Sequence, residues 1–532
     1  MTTAPAVPSR RDIQMVIAAS SLGTIFEWYD FYIYGTLAVL FGKLFFPAAS
    51  ETAGLLLALA TFGVGFAVRP VGAVIFGVLG DRFGRKYTFL VTITLMGLAT
   101  AAIGLVPSFG KIGIWAPILL VALRAVQGLA VGGEYGGASI YVAEHAPANR
   151  RGFFTSFIQT GASGGLLLSL VVIAATSALV GDSAWKAWGW RIPFVLSLFL
   201  LGISLWIRLR LAESPVFQAM RAAGEVSRHP LRESLNSWRK VKRILAAMFG
   251  ISVGQAVIGY TAMFQTLYFL QNAQHLEPNV ARVIMILGTG LTLGAFVLFG
   301  ALSDRVGRKP MMLVGCAFAA LAMLPLFHFM ASQANPALAA AMRANPVVVA
   351  GTECSFNPFA QHGQATACGK VLDVLSKTGV AYTKVEGAPG SAPIVTIGGH
   401  QIEARDPSAL QAGLSQAGYR LGVVTPPMRN VALIVLALAA LYVISAMSYG
   451  PVAAWLVELF PSRVRYTSMS IPYHVGTGYA GGFLPFIAQL IIAKTGDPFA
   501  GFWYPIGAAM LAFAVIALFL PETAGRALDS AD

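Results

Sequence analysis

Apolar residues run almost unbroken through most of this chain, and polar residues gather in short clusters between the runs. The runs cover about 15–37, 52–76, 87–107, 114–142, 153–180, 189–208, 243–270, 280–301, 310–331, 429–454, 467–493 and 500–520. Each is long enough to cross a bilayer, which takes ~20 apolar residues in a helix. The pattern predicts twelve transmembrane helices. An even number places both chain ends on one side of the membrane.

The polar clusters repeat. Gly77, Asp81, Arg82, Gly84, Arg85 and Lys86 stand between the second and third runs. Gly300, Asp304, Arg305, Gly307, Arg308 and Lys309 stand at the same spacing between the eighth and ninth. A second pair follows the fourth and tenth runs: Glu144 to Arg151, and Glu458 to Arg465. Such repetition predicts two pseudo-symmetric six-helix halves, a plan common among secondary transporters. The first pair is 223 positions apart (304 − 81) and the second 314 (458 − 144), so the second half holds 91 additional residues. They fall mostly within 332–428. The predicted organisation is an amino half at 1–208, a cytoplasmic linker at 209–242, a carboxyl half at 243–331 and 429–532, and an insert at 332–428.

The insert has its own pattern. Val347-Val348-Val349 reads as a strand and 368–377 as a short helix. Tyr382 to Val385 and Ile394 to Ile397 read as a strand and the start of a hairpin, and 407–419 as a helix opened by Pro407. A small α+β domain on the outer face is expected. Cys354 and Cys368 both lie in it, and an oxidising compartment with a small core predicts a disulfide between them. A metal site using His362 lacks further ligands. Cys316, in the ninth run, reads as packing.

Composition agrees with a membrane protein. Of 532 residues, 56% are hydrophobic and 11% charged, and mean hydropathy is +0.70. Soluble domains carry about 25% charged residues. The net charge of +14 needs no nucleic-acid partner, because basic loops orient membrane helices. Lys and Arg number 22 on the side of the termini and 13 on the other. Seven of those 13 lie in the one long loop, which leaves 6. The bias predicts cytoplasmic termini and an insert on the periplasmic side of a bacterial inner membrane. The polar start of the chain does not read as a cleaved signal peptide. No Walker A motif, catalytic triad or metal cluster is found, so neither an enzyme nor ATP drive is expected, and no cofactor beyond protons.

Ionisable residues inside the runs are the candidates for chemistry, because burial in a bilayer is costly. Glu27 lies about 12 residues into the first run, ~18 Å deep at 1.5 Å per residue. Asp30 follows it. Arg69 lies twelve residues before Asp81, Arg124 lies in the fourth run, and Glu134 is ten residues beyond Arg124. Arginine binds carboxylates in bidentate fashion. A desolvated carboxyl titrates nearer neutrality. An anion site at Arg69, Arg124, Gln127 and Tyr135 beside proton-coupling residues Glu27, Asp30 and Glu134 is expected. Structural ion pairing is the bland alternative. From the carboxyl half, Gln255, Tyr260 and Tyr473 are expected to line the same cavity, and His474 to relay protons. A drug exporter and a sensor built on the insert are rival readings. The buried arginines count against the first and the repeated cytoplasmic motifs against the second.

The paired Asp-Arg-x-Gly-Arg-Lys turns resemble the helix 2–3 loop signature of the major facilitator superfamily. Within it, Glu27-Trp28-Tyr29-Asp30-Phe31, Arg69-Pro70-Val71-Gly72, Arg124-Ala125-Val126-Gln127-Gly128 and Gly132-Gly133-Glu134-Tyr135-Gly136-Gly137 resemble the metabolite:H⁺ symporters, as does Glu213-Ser214-Pro215. The resemblance implies the twelve-helix fold and proton-coupled uptake of a small organic acid or zwitterion by a monomer in contact with lipid. It also implies a cytoplasmic gate of ion pairs. By position its members would be Asp81, Arg82, Arg85, Glu144 and Arg151 in the first half, and Asp304, Arg305, Arg308, Glu458 and Arg465 in the second. Pro521-Glu522-Thr523 is shared with sugar porters, but Ala212-Glu213-Ser214-Pro215-Val216 departs from their run after span six. The outer insert departs from the shorter family members.

Overall fold

The computed structural model describes residues 10–47, 51–83, 85–133, 135–209, 230–352, 354–360, 364–387, 392–403, 407–462, 464–526 and 528. Ten helices within them are long and apolar enough to cross a bilayer, and two more, Arg10–Thr36 and Arg85–Leu105, have the length at 27 and 21 residues. They are α1 (Arg10–Thr36), α2 (Glu51–Phe76), α3 (Arg85–Leu105), α4 (Trp115–His145), α5 (Ala148–Val180) and α6 (Gly189–Trp206), then α7 (Trp238–Ala273), α8 (Pro278–Val306), α9 (Arg308–Ala334), α10 (Met428–Leu459), α11 (Arg465–Thr495) and α12 (Ala500–Phe519). The sequence motif at 213–215 lies outside the described residues.

Local chemistry sets several helix boundaries. Glu277 caps α8, its carboxylate accepting from Asn279 N and Val280 N at 3.0 Å each, with Pro278 in the first turn. Gly307 joins α8 to α9 at φ 109, a conformation that a side chain resists. Two helices are irregular. α7 widens into π turns at Ala247–Ser252, Thr261–Gln265 and Phe269–Ala273, and α11 does so at Gly476–Gly482. Such turns free backbone groups and often mark functional positions.

The halves meet through small residues. α5 crosses α8 so closely that a Cβ on Gly300 would stand 2.6 Å from the Gly152 carbonyl oxygen. Membrane helices associate by this kind of backbone approach, since lipid offers no hydrophobic drive between them. α2 lies against α11, where Gly478 and Gly482 face Phe66.

Between α9 and α10 stands a four-stranded sheet. Its strands are β1 (Val347–Gly351), β2 (Tyr382–Glu386), β3 (Ile394–Ile397) and β4 (His400–Glu403), in the order β2-β1-β3-β4. β1 and β2 are parallel; the other two pairings are antiparallel. Alternate residues Val347, Val349, Val395 and Ile397 pack with Leu338 of the helix Pro336–Ala344, Leu372 and Leu375 of the helix Ala367–Lys377, and Leu410 and Leu414 of the helix Pro407–Gln416, in a second core that also takes in Ala493 of α11. Cys354 and Cys368 are joined in a disulfide, and Cys316 is buried and unpaired. The insert is tied to the membrane part at helix ends. Asn335 Nδ2 donates to Gln274 O and Arg420 O, His275 Nε2 lies 2.9 Å from Thr378 O, and Tyr382 N donates to Gly496 O.

Candidate functional site

The helical repeat brings Glu27, Asp30, Phe31 and Tyr34 to one side of α1. Phe31 lies between two buried arginines. The guanidinium carbons of Arg69 and Arg124 stand 4.3 and 4.1 Å from its ring centroid. Arg69 also lies 3.9 Å from the Phe66 ring and 5.1 Å from the Trp28 ring. Ring faces attract cations, more so when desolvated.

The two arginines differ in their commitments. Arg124 Nη1 donates to Gln127 Oε1 at 2.8 Å and to Phe31 O at 3.3 Å, and Nη2 donates to Phe62 O at 3.3 Å. Gln127 in turn donates to Thr100 Oγ1 at 2.7 Å and to Asp30 O. Together they clamp α1, α2, α3 and α4. Among the described residues, Arg69 keeps Nε and Nη2 without hydrogen-bond partners, Arg124 only Nε, and Asp30 its Oδ1. A buried donor left unmet costs about 1–3 kcal/mol, more when charged. Glu27 lines a cavity of about 20 Å³, roughly one water in size, with Thr24, Trp28, Phe31 and Tyr135. Glu134 lies outside the described residues.

Aromatic side chains of the carboxyl half close on this cluster. Tyr135 of α4 stacks on Tyr473 of α11, centroids 3.6 Å apart and planes at 4°. The Tyr473 and Tyr449 hydroxyls are 3.2 Å apart, and Gln159 Nε2 donates to the Tyr135 hydroxyl at 2.9 Å. Tyr32 of α1 donates to the Tyr260 hydroxyl of α7 at 3.3 Å. Tyr260 also packs edge-on to Phe66, 5.2 Å away. Gln255 donates to Thr477 Oγ1 at 3.0 Å. His474 is 1% exposed, and neither ring nitrogen has a partner. Sequence reasoning passed over Tyr32, Gln159 and Thr477. Gln159 was detectable as a lone amide inside an apolar run.

At the other end of the bundle, charged residues tie the halves together. Asp304 accepts from Gly152 N and Phe153 N at 2.8 Å each, capping the first turn of α5, where backbone donors are unmet. Arg308 pairs with Asp304 at 2.8 Å and with Glu458 at 3.2 Å. Glu458 also meets Arg151 at 3.6 Å and accepts from Thr523 Oγ1 at 2.7 Å. Arg465 pairs with Glu144 at 3.1 Å. Arg305 is exposed, while the side chains of Asp81, Arg82 and Arg85 lie outside those described. Glu522 was missed as a member. It accepts from Arg308 N and Lys309 N at 3.0 and 2.9 Å, capping α9. Its signal was an acidic residue directly after the last apolar run.

Residues 15–250, 224–360 and 412–532 match the family described as sugar (and other) transporter. The chain belongs to that family. Its members are transporters, not enzymes. The fold is that of the major facilitator superfamily. The proton:xylose symporter XylE bound to 6-bromo-6-deoxy-D-glucose superposes with a TM-score of 0.62 at 19% identity, over 97% of this chain and 98% of that one. XylE from E. coli in a partially occluded inward open conformation gives 0.61 at 19%, over 97% and 99%. Among relatives in sequence, the proline/betaine transporter of Escherichia coli (strain K12) is 38% identical over 325 residues, 59% of this chain and 64% of its own length. The shikimate transporter of the same strain is 39% identical over 317 residues, 59% and 72%. A putative proline/betaine transporter of Staphylococcus aureus (strain COL) is 27% identical over 516 residues, 96% and 89%. The chain spans 62 to 64% of the length of the proline/betaine relatives that it matches at 38 to 39%.

Proposed function

We propose that this family member is a proton-coupled symporter that takes up a small organic acid or a carboxylate-bearing zwitterion by alternating access. Arg69 carries the reading. It is 1% exposed, holds two uncommitted N–H positions, and lies in a cage of aromatic rings where the halves meet. A buried guanidinium so placed is a bidentate receptor for a carboxylate. Proline, betaine and shikimate, named for the relatives, all carry one. Tyr135, Tyr260, Tyr473 and Gln255 supply hydroxyl and amide groups around it, while Arg124 and Gln127 hold the helices that present it. Asp30, Glu27, Glu134 and His474 are the proton-handling set, and Asp30 and His474 are buried with polar atoms unmet. The ion-paired end is the cytoplasmic gate, with the termini on its side and the insert facing the periplasm of a bacterial inner membrane.

Reconstitution tests this. Labelled proline, betaine or shikimate should accumulate in proteoliposomes under an inward proton gradient, and a protonophore should abolish the uptake. Accumulation driven by sodium without a pH gradient would overturn the coupling. Binding of esters as tight as that of the free acids would overturn the carboxylate site.

A further inference from the structure

The insert places its two cysteines at one end of its sheet. Cys354 lies in the loop just past β1, and Cys368 in the first turn of the helix Ala367–Lys377 that leads to β2. A parallel β–α–β unit with one cysteine in its first loop and one opening its helix, extended by an antiparallel hairpin, resembles the frame of C-x-x-C thiol–disulfide oxidoreductases, although here the cysteines are 14 positions apart. That likeness is an analogy of fold. The placement of the sulfurs carries the argument.

The two cysteines are inequivalent. Cys354 is the more exposed of the two, partly buried at the rim of the insert core, and is the one that an external thiolate would meet first. Cys368 is 2% exposed and sits at the N-terminus of an eleven-residue helix, where Thr366 Oγ1 caps Gly369 N at 3.0 Å. The partial positive charge of that terminus stabilises a thiolate. The end of β1 is bare beside them. A Cβ on Gly351 would lie 2.9 Å from Cys354 Sγ and 3.1 Å from Cys368 Sγ. The bond thus joins a more exposed cysteine to one whose thiolate the helix N-terminus would stabilise as a leaving group.

We propose that Cys354–Cys368 is an exchangeable redox pair and that the insert is a thiol–disulfide exchange module for a dithiol partner. A partner thiolate attacks Cys354 Sγ, the Cys354–Cys368 bond breaks, and Cys368 leaves as a thiolate at the helix N-terminus. The partner's second thiolate then attacks its own sulfur in the mixed disulfide and releases Cys354. Two electrons and two protons pass to the insert, which ends as a dithiol while the partner ends as a disulfide. An oxidised partner drives the reverse.

The test uses full-length protein in detergent, with dithiothreitol, glutathione and glutathione disulfide as probes and thiols mapped by alkylation and peptide mass spectrometry. Folded wild type should be reduced at both cysteines by dithiothreitol and reoxidised by glutathione disulfide. A pair that reacts only after unfolding in SDS is a staple, and the proposal falls. Cys368→Ser should capture glutathione on Cys354 from glutathione disulfide, while Cys354→Ser should leave Cys368 unmodified in the folded protein. Equal capture by both variants, or none by a folded Cys368→Ser, would also overturn it. Should Cys368→Ser fail to fold, the wild-type reduction decides.

Discussion

Arg69 and Arg124 are indistinguishable by sequence, since each is one guanidinium inside an apolar run. The structure separates them by what they donate to. Arg124 holds the Phe31 and Phe62 carbonyls and the Gln127 amide, so Arg124→Gln should cost stability. Hydrogen bonds from a charged donor contribute about 1.5–3 kcal/mol each, and a lowered unfolding temperature without ligand would show the loss. Arg69→Gln should cost less stability than Arg124→Gln, since Arg69 is held mainly by ring faces, and should weaken carboxylate binding by about 10- to 100-fold, the scale of a lost charged pair. Titration of both variants with an acid substrate checks the contrast. Equal affinity loss in the two would return them to one role. The residue types at the site were legible because charge in a bilayer is conspicuous. Their hydrogen-bond partners were not, because backbone carbonyls carry no signature in the sequence.

At the scale of elements, the apolar runs located the helices, because twenty apolar residues in lipid have little choice but to form one. The π turns of α7 and α11 could not be read in this way. Their extra residue per turn is set by packing against neighbours, not by hydropathy. The repeated turn was legible as a motif, yet its work is done through backbone. Asp304 links α8 to the start of α5, across the halves, by accepting two N–H groups. Asp304→Asn should lower turnover while substrate affinity is retained, since the contact lies at the proposed gate and not at the aromatic cage around Arg69. The internal repeat predicts the same for Asp81→Asn. Uptake rates set against equilibrium binding test the pair, and unchanged transport in the double variant would dissolve the gate. Gly300→Leu should act more severely at the α5–α8 crossing, where the Gly152 carbonyl leaves no room for a side chain. Poor yield or early unfolding by size exclusion is the expected outcome.

For the whole molecule, the question is how an added domain coexists with the alternating access proposed for the two halves. Its two ends are close together, since Asn345 Nδ2 donates to Ala417 O at 2.9 Å and the Tyr419 hydroxyl donates to Asn345 O at 2.7 Å. A short Gly/Ser linker can therefore replace what lies between them. The sequence repeat set the limits of the insert at 332–428, but the structure divides that stretch by its bonds. Arg420 O accepts from Asn335, and Val424 exchanges backbone hydrogen bonds with His275 and Glu277 at 2.9 and 3.0 Å. This last segment is bound to the α7–α8 turn and travels with the membrane part. Replacing 346–418 should leave a monodisperse protein that still transports, because most of the removed apolar residues pack on one another, with packing on Ala493 of α11 and the Thr378–His275 and Tyr382–Gly496 hydrogen bonds given up on the membrane side. Extending the cut to 345–426 should lower the unfolding temperature further, since the two Val424 hydrogen bonds to that turn and the Arg420 bond to Asn335 are lost, at about 1 kcal/mol each. Thermal scans of the two deletions decide. If both unfold at the same temperature, the segment belongs to the insert, and the Ala273 end of α7 is held by its own chain.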